Sequence, residues 1–231
     1  MNFTLKSISE GKLLLIDKPI DWTSFQVVNK IRWAFKKKFN LKKLKVGHAG
    51  TLDPLATGLL IICTGKMTKK ISEVQSLEKT YTGRITLGAT TPSYDLETAI
   101  NRKFPTEHLT DEDLIRSKNK FLGEIDQYPP IFSAIKKEGK RLYEYARSGE
   151  ETKIESRKVS IYNFDFTNIS LPHLDFEVKC SKGTYIRSLA HDFGKSVDSG
   201  AHLSALRRTA IGSFKVKNAI TPEKLIEKLD L

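Results

Sequence analysis

A mixed fold of helices and strands, α+β or mixed α/β, is what this sequence predicts, on two observations. Segments with helical spacing of apolar residues are interspersed with segments that read as strands, without the regular strand–helix–strand alternation of a doubly wound sheet. The 231 residues are 39% hydrophobic and 9% aromatic, enough for a sizeable core and incompatible with global disorder. No internal repeat and no linker-like break divides the chain, so residues 1–231 read as one domain.

The elements follow in order. Lys12–Ile16 reads as a short strand, ended by the turn Asp17-Lys18-Pro19. Thr23 or Ser24 can cap a helix whose apolar face is Val27, Val28, Ile31, Ala34 and Phe35, with Lys30, Arg32, Lys36 and Lys37 on the other face. A Gly/Pro-punctuated loop, Gly47 to Gly58, leads into a buried strand, Leu59–Cys63. Tyr81–Ala89 alternates, with Tyr81, Gly83, Ile85 and Leu87 on one face. Residues 90–106 read as a polar loop and Asp111–Phe121 as a short helix. Segment 125–151 opens with Tyr128-Pro129-Pro130 and is rich in Lys, Arg and Tyr. Two strands, Val159–Phe166 and Leu174–Lys179, precede an amphipathic helix marked by Ile186, Leu189, Ala190, Phe193 and Val197 and stopped by Gly200. A strand near Ile211–Val216 and a helix from Pro222 close the chain.

Several function classes are excluded. The longest apolar runs, Leu13–Ile16 and Leu59–Cys63, fall far short of the roughly 18 residues of a spanning helix. The N-terminus lacks a signal-peptide core, so an intracellular, cytoplasmic protein is expected. Cys63 and Cys180 lie in apolar runs, as reduced buried thiols would, and no Cys/His cluster offers a zinc site. The charge is the positive clue: 39 Lys+Arg against 27 Asp+Glu leave +12, and between Asp21 and Asp53 there is no acid but eight bases, Lys30, Arg32, Lys36, Lys37, Lys38, Lys42, Lys43 and Lys45. Such a stretch is either a solubilising surface or a footprint for nucleic acid.

The densest local signal is the run Lys45 to Gly58, KVGHAGTLDPLATG. Pro54 stiffens the chain directly after Asp53, and a carboxylate on a rigid loop in a basic setting suits a nucleophile or general base. The competing reading is an Asx-turn in which Asp53 caps its own loop. The spacing fits no phosphate-binding glycine loop. In SKGTYIRSLA (181–190), Thr184 can cap a helix that begins near Ile186, which puts Arg187 in a first turn where a cation is disfavoured. Arg187 is then either an ordinary surface residue or the bidentate partner of a carboxylate. His48 reads as a structural or simply exposed residue, and Tyr81 as a core residue or a ring that stacks on a base. Segment 133–147 interleaves bases with aromatics, as a solvated helix or an RNA grip would, and Leu206-Arg207-Arg208 repeats that pairing of apolar with basic.

Six motifs carry a resemblance: LLLIDKPIDWTS, GHAGTLDPLATGLL, KTYTGRITLG, YPPIFSAIKKEGKRLYEYAR, CSKGTYIRSLAHDFG and ALRRTAIGSF. From about Leu13 to Phe214, in order, they resemble the bacterial tRNA pseudouridine synthase B (TruB) family. The resemblance implies the pseudouridine synthase fold, a central, mostly antiparallel sheet flanked by helices with an RNA-gripping insertion at about 125–151. It implies isomerisation of the T-loop uridine at tRNA position 55, with the N1–C1′ bond broken and remade as C5–C1′, and neither cofactor nor metal. It implies Asp53 as the essential catalytic residue, Tyr81 stacking on the base, and Arg187 ion-paired with the catalytic Asp. His48 would enter the T loop in place of the flipped nucleotide, Leu206 would pack against the target, and Lys18 and Tyr185 would help build the pocket. Lys136, Lys137 and Arg141 of the insertion would grip RNA. The partner expected is the T arm of tRNA, bound by a monomer away from any membrane. About 17 residues follow Phe214, so a short form without the C-terminal RNA-binding (PUA) domain is expected. The alternatives are a non-catalytic RNA-binding or tRNA-folding protein and a synthase of the same family acting on another uridine.

Overall fold

The computed structural model describes residues 3–150 and 152–231; Glu151, the last residue of the expected insertion, lies outside them. In chain order the elements are α1 (Leu5–Glu10), β1 (Leu13–Lys18), α2 (Ser24–Lys38), β2 (Val46–His48), β3 (Ala56–Thr64), α3 (Ile71–Ser76), β4 (Lys79–Leu87), β5 (Ala89–Thr90), β6 (Arg102–Lys103), α4 (Asp111–Asn119), β7 (Gly123–Gln127), β8 (Lys136–Lys137), β9 (Lys140–Arg141), α5 (Leu142–Ser148), β10 (Arg157–Ser170), β11 (His173–Cys180), α6 (Ile186–Ser196), β12 (Ala201–Ile211), β13 (Phe214–Lys215) and α7 (Pro222–Glu227). The fold is mixed α/β, as the interspersed sequence pattern predicts. Two compact units share the chain: Met1–Tyr81 with Leu206–Leu231, and Thr82–Ala205. The division falls within β4 and within β12.

In the first unit β3 is the central strand. It pairs antiparallel with β1, from Leu13↔Cys63 to Lys18↔Gly58, and with β2, and parallel with β12 at Leu206↔Ala56 to Arg208↔Gly58. A strand enclosed in this way reads as a continuous apolar run, and from Gly58 to Thr64 it is wholly buried. Its side chains alternate between two cores. Leu60 and Ile62 join Leu14, Ile16 and the α2 stripe of Val27, Val28, Ile31, Ala34 and Phe35, whereas Leu59, Ile61 and Cys63 join Ala49, Val74 and Ile211. α2 starts in a capping box: the Thr23 hydroxyl accepts from Gln26 N–H at 3.1 Å, and Thr23 N–H donates to the Gln26 side chain at 2.7 Å. Truncating one of the buried Leu or Ile side chains of β3 to Ala would cost about 2–5 kcal/mol.

In the second unit the strands run in the order β4-β11-β10-β7. The β10–β11 and β10–β7 pairs are antiparallel. Phe164 on β10 packs edge-on against Phe176 of β11 and Phe193 of α6, with centroids 5.9 and 6.3 Å apart. This side of α6 is the apolar stripe that the sequence shows.

Four expectations are corrected. The loop ending at Gly58 already contains the first residues of β3, because Ala56–Gly58 pair with β12. Residues 90–106 are not simply a polar loop: Thr90, Thr91, Ser93 and Asp95 are buried there and hydrogen-bonded. Tyr185, not Thr184, is the N-cap of α6, and the Thr184 hydroxyl donates to Ser181 O at 3.0 Å. The closing strand expected near 211–216 is the tail of a long β12, which turns at Gly212 into β13. α1 has no counterpart in the sequence reading; its signal was the Thr4–Ser7 capping pair.

Candidate active site

The loop carrying Asp53 is held along its backbone. Every carbonyl from Gly50 to Pro54 accepts a hydrogen bond. Arg208 Nη2 donates to Gly50 O at 3.0 Å and Arg208 Nη1 to Thr51 O at 3.3 Å. Ser24 Oγ donates to Leu52 O at 3.0 Å and receives Leu52 N–H at 2.8 Å. Asp53 O accepts from Ala56 N–H at 3.1 Å, closing a turn around Pro54, and Pro54 O accepts from Asp21 N–H at 2.9 Å and from Lys18 Nζ at 3.2 Å. The turn half of the Asx reading is therefore present in the backbone. Arg208 is fully buried, and its Nε also donates to Leu59 O at 2.7 Å. This packing requires a glycine at 58, where φ is +101° and an added Cβ would lie 2.3 Å from Arg208 O.

Lys18 ends β1 with its side chain buried, and Nζ also donates to Pro19 O at 2.9 Å and Trp22 O at 2.5 Å. Burial lowers its pKa to about 8, against the pull of the carboxylates of Asp53 and Asp21. The interaction is mutual: a Lys18 ammonium favours the ionised form of Asp53. His48 ends β2, and its pKa is pushed down by burial and by the Arg208 guanidinium, so its ring is neutral at pH 7. Leu206 pairs with Ala56 beside the Asp53 turn. Tyr81 is buried on β4. The first unit thus gathers Lys18, His48, Asp53 and Leu206 around one loop.

Within the second unit Arg187 is no surface residue. It is buried, donates to Ser93 O at 3.2 Å and Phe132 O at 2.9 Å, and faces the buried Asp95 with Nε 3.6 Å from Oδ2. Tyr185 is fixed by its backbone: Gln127 accepts from its N–H at 2.8 Å and donates to its carbonyl at 3.0 Å, and Arg157 lies over its ring at 4.8 Å. Lys136 pairs with Arg141 and Lys137 with Lys140 in a two-stranded ribbon turned by Glu138 and Gly139, both at positive φ. Lys136 is exposed, Lys137 Nζ donates to Lys153 O at 2.8 Å, and Arg141 N–H donates to Glu144 at 2.8 Å at the start of α5.

The tail motif behaves differently from the sequence reading. Arg207 holds Asp17 with two hydrogen bonds of 3.0 and 2.6 Å, and Arg208 points inward as the clamp of the Asp53 loop, so neither is a free surface cation. Sequence reasoning missed Arg208 as a positioning residue. The one local trace of it is Gly58, whose missing Cβ makes room for the backbone of Arg208. Among the described residues no group of three or more His, Cys, Asp or Glu side chains could hold a metal ion, and no helix is long and apolar enough to cross a membrane.

A rigid loop carrying one carboxylate beside a buried ammonium, in a strongly basic chain, is an arrangement suited to acid–base or nucleophilic work. Similarity to known proteins sharpens this class. The TruB family pseudouridylate synthase N-terminal domain matches residues 36–186, and the tRNA pseudouridylate synthase B C-terminal domain matches 187–230. The tRNA pseudouridine synthase B of Flavobacterium johnsoniae is 64% identical over 212 residues, covering 91% of this chain and 93% of that protein. That of Phocaeicola vulgatus is 49% identical over 230 residues, covering 100% and 96%. A solved Cbf5-Nop10-Gar1 complex contains a chain with TM-score 0.71 and 31% identity, of which 54% is covered by 95% of this one; this chain spans about half the length of that one. The chain belongs to the TruB family of pseudouridylate synthases.

Proposed function

We propose that this chain converts a uridine of tRNA to pseudouridine, at position 55 of the T loop, as a monomer in the cytoplasm. The observation that carries the reading is the loop at Asp53, fixed carbonyl by carbonyl, in a chain of this family. The target base is stacked inside the folded RNA and must be extruded, at a cost of a few kcal/mol. Phosphate contacts from the basic surface, including Lys136, Lys137 and Arg141, offset that cost. The planar ring of His48 fills the vacancy by stacking, and Leu206 packs against the flipped base. Asp53 reacts as the carboxylate, which the Lys18 ammonium favours. Tyr81, Arg187 and Tyr185 keep the roles that the resemblance gives them. No redox change and no energy source is needed, because a C–N glycosidic bond is exchanged for a C–C bond in the same nucleotide. Unmodified tRNA incubated with the purified chain and mapped by carbodiimide-dependent reverse-transcription stops tests this. A stop at position 55 is expected. A stop at another uridine reassigns the target, and binding without any stop leaves an RNA-binding or RNA-folding protein.

A further inference from the structure

We propose that the solvent face of α2 is a second RNA-contacting surface, on which an unstacked base lies against Trp33 while its flanking phosphates meet Lys30, Lys36 and Lys37. It rests on the reading that this chain works on RNA and adds a place, outside the Asp53 loop, where RNA is held. α2 spends its apolar stripe on the core, yet its outer face exposes Trp33 at 47% and Phe25 at 60%. The ammonium groups of Lys30 and Lys37 lie 5.2 and 5.1 Å from the Trp33 ring centroid, and the Arg32 guanidinium lies 6.0 Å from that of Phe25. Beside Trp33 a depression of about 390 Å³ is lined by Asn29, Arg32, Trp33, Lys36, Lys37 and Leu41: cations, an amide, an indole and a leucine, without an acid. Trp33, Lys30 and Lys37 occupy i, i−3 and i+4 positions and so share one face.

Charge and ring chemistry together select the occupant. An aromatic face flanked by ammonium groups accepts any base by stacking and the phosphates on either side by charge. A base arriving on the indole displaces an ammonium, which then meets a phosphate instead of the ring. A membrane surface is the weaker match. A helix that lies on a bilayer buries a continuous apolar face, and here that face is in the protein core.

Fluorescence tests the proposal without relying on catalysis. The chain has two tryptophans, so Trp22→Phe leaves Trp33 as the sole reporter. A ten-residue oligoadenylate, which has no uridine to isomerise, is expected to quench Trp33 emission. Polyphosphate is expected to bind with salt dependence but without quenching, and phosphatidylglycerol vesicles to leave the emission unshifted. In the otherwise native chain, Trp33→Ala is expected to weaken tRNA binding about tenfold. Unchanged emission with RNA, tRNA affinity within twofold of native in Trp33→Ala, or a blue shift on vesicles would overturn the proposal. Absence of pseudouridine with quenching intact would instead count against the catalytic reading alone.

Discussion

The Gly50–Pro54 loop and the Lys136–Arg141 ribbon both carry candidate site residues, and they are held by opposite means. The loop is fixed from within, its successive carbonyls bonded to the buried cations Arg208 and Lys18, to Ser24 and to backbone N–H groups. The ribbon is fixed from outside, by a tight turn, a Tyr145 hydroxyl on Lys137 O at 3.2 Å, and an exposed Lys140–Glu150 ion pair at 2.6 Å. A buried cation with filled acceptors costs several kcal/mol to disturb, whereas an exposed ion pair contributes at most about 1 kcal/mol. In the proposed function, chemistry that depends on tenths of an ångström falls to the first kind of support, and a grip that must follow an RNA backbone to the second.

The largest effect should come from the group that the rigid loop presents. Asp53→Asn is near-isosteric and keeps the backbone bonds of the loop. Turnover is expected to fall by at least about a thousandfold, roughly 4 kcal/mol of barrier, while tRNA affinity stays within a few-fold because it rests on many phosphate contacts. Single-turnover rates and filter binding measure the two. Appreciable turnover in a preparation free of deamidated protein would remove Asp53 from its role.

The next effect contrasts the two supports directly. Arg208→Met leaves the carbonyls of Gly50, Thr51 and Leu59 without their donor, and a loss of about 3–5 kcal/mol of stability is expected. Arg141→Met, at the ribbon, should cost less than about 1 kcal/mol. Denaturant melts of both variants measure the contrast, and equal losses would break it.

Lys18 adds a pH signature to the buried side. Its pKa is about 8 in the folded chain against 10.5 for a solvated lysine. Below about 8 both folded and unfolded chains hold the proton, and the contribution of Lys18 to the pH slope is nil. Between about 8 and 10.5 the unfolded chain binds the proton and the folded chain does not, so this group makes stability rise with pH, by an amount on the order of 3 kcal/mol. Urea midpoints from pH 7.5 to 10 should show a rise that Lys18→Met lacks.

What was legible in the sequence follows the same division. Local signals were clear: the capping box at Thr23, the apolar stripe of α2, the alternation of β4, and the Asp53 loop with its glycines and proline. Pairings between distant segments were not. Nothing near Arg208 announces that its guanidinium reaches back 157 and 158 residues to hold Thr51 and Gly50, and the apolar-then-basic pattern around it suggested a surface instead. Arg187 was readable as a cation in want of a carboxylate, but Asp95, in a stretch that looked like a polar loop, could not be named as a partner. Burial of polar groups is decided by tertiary pairing, to which periodicity is blind.

The smallest effect belongs to the ribbon. Lys136 is exposed and Lys137 Nζ donates to a backbone carbonyl, so reversing both charges to Glu should leave the fold intact. A phosphate that no longer meets a lysine keeps its condensed counterion on binding. Each such phosphate would lower the slope of log affinity against log salt by about 1 and weaken binding several-fold at moderate salt. The position modified should not change, because phosphate contacts set register and carry no base identity. Binding isotherms from 50 to 300 mM salt on the native chain and on the double variant measure this, alongside a map of the modified uridine. A native slope near zero would show that the basic surface is not the face that meets RNA. A shift of the modified uridine in the variant would show that the ribbon selects the base, and so that the yielding support takes part in specificity as well as in grip.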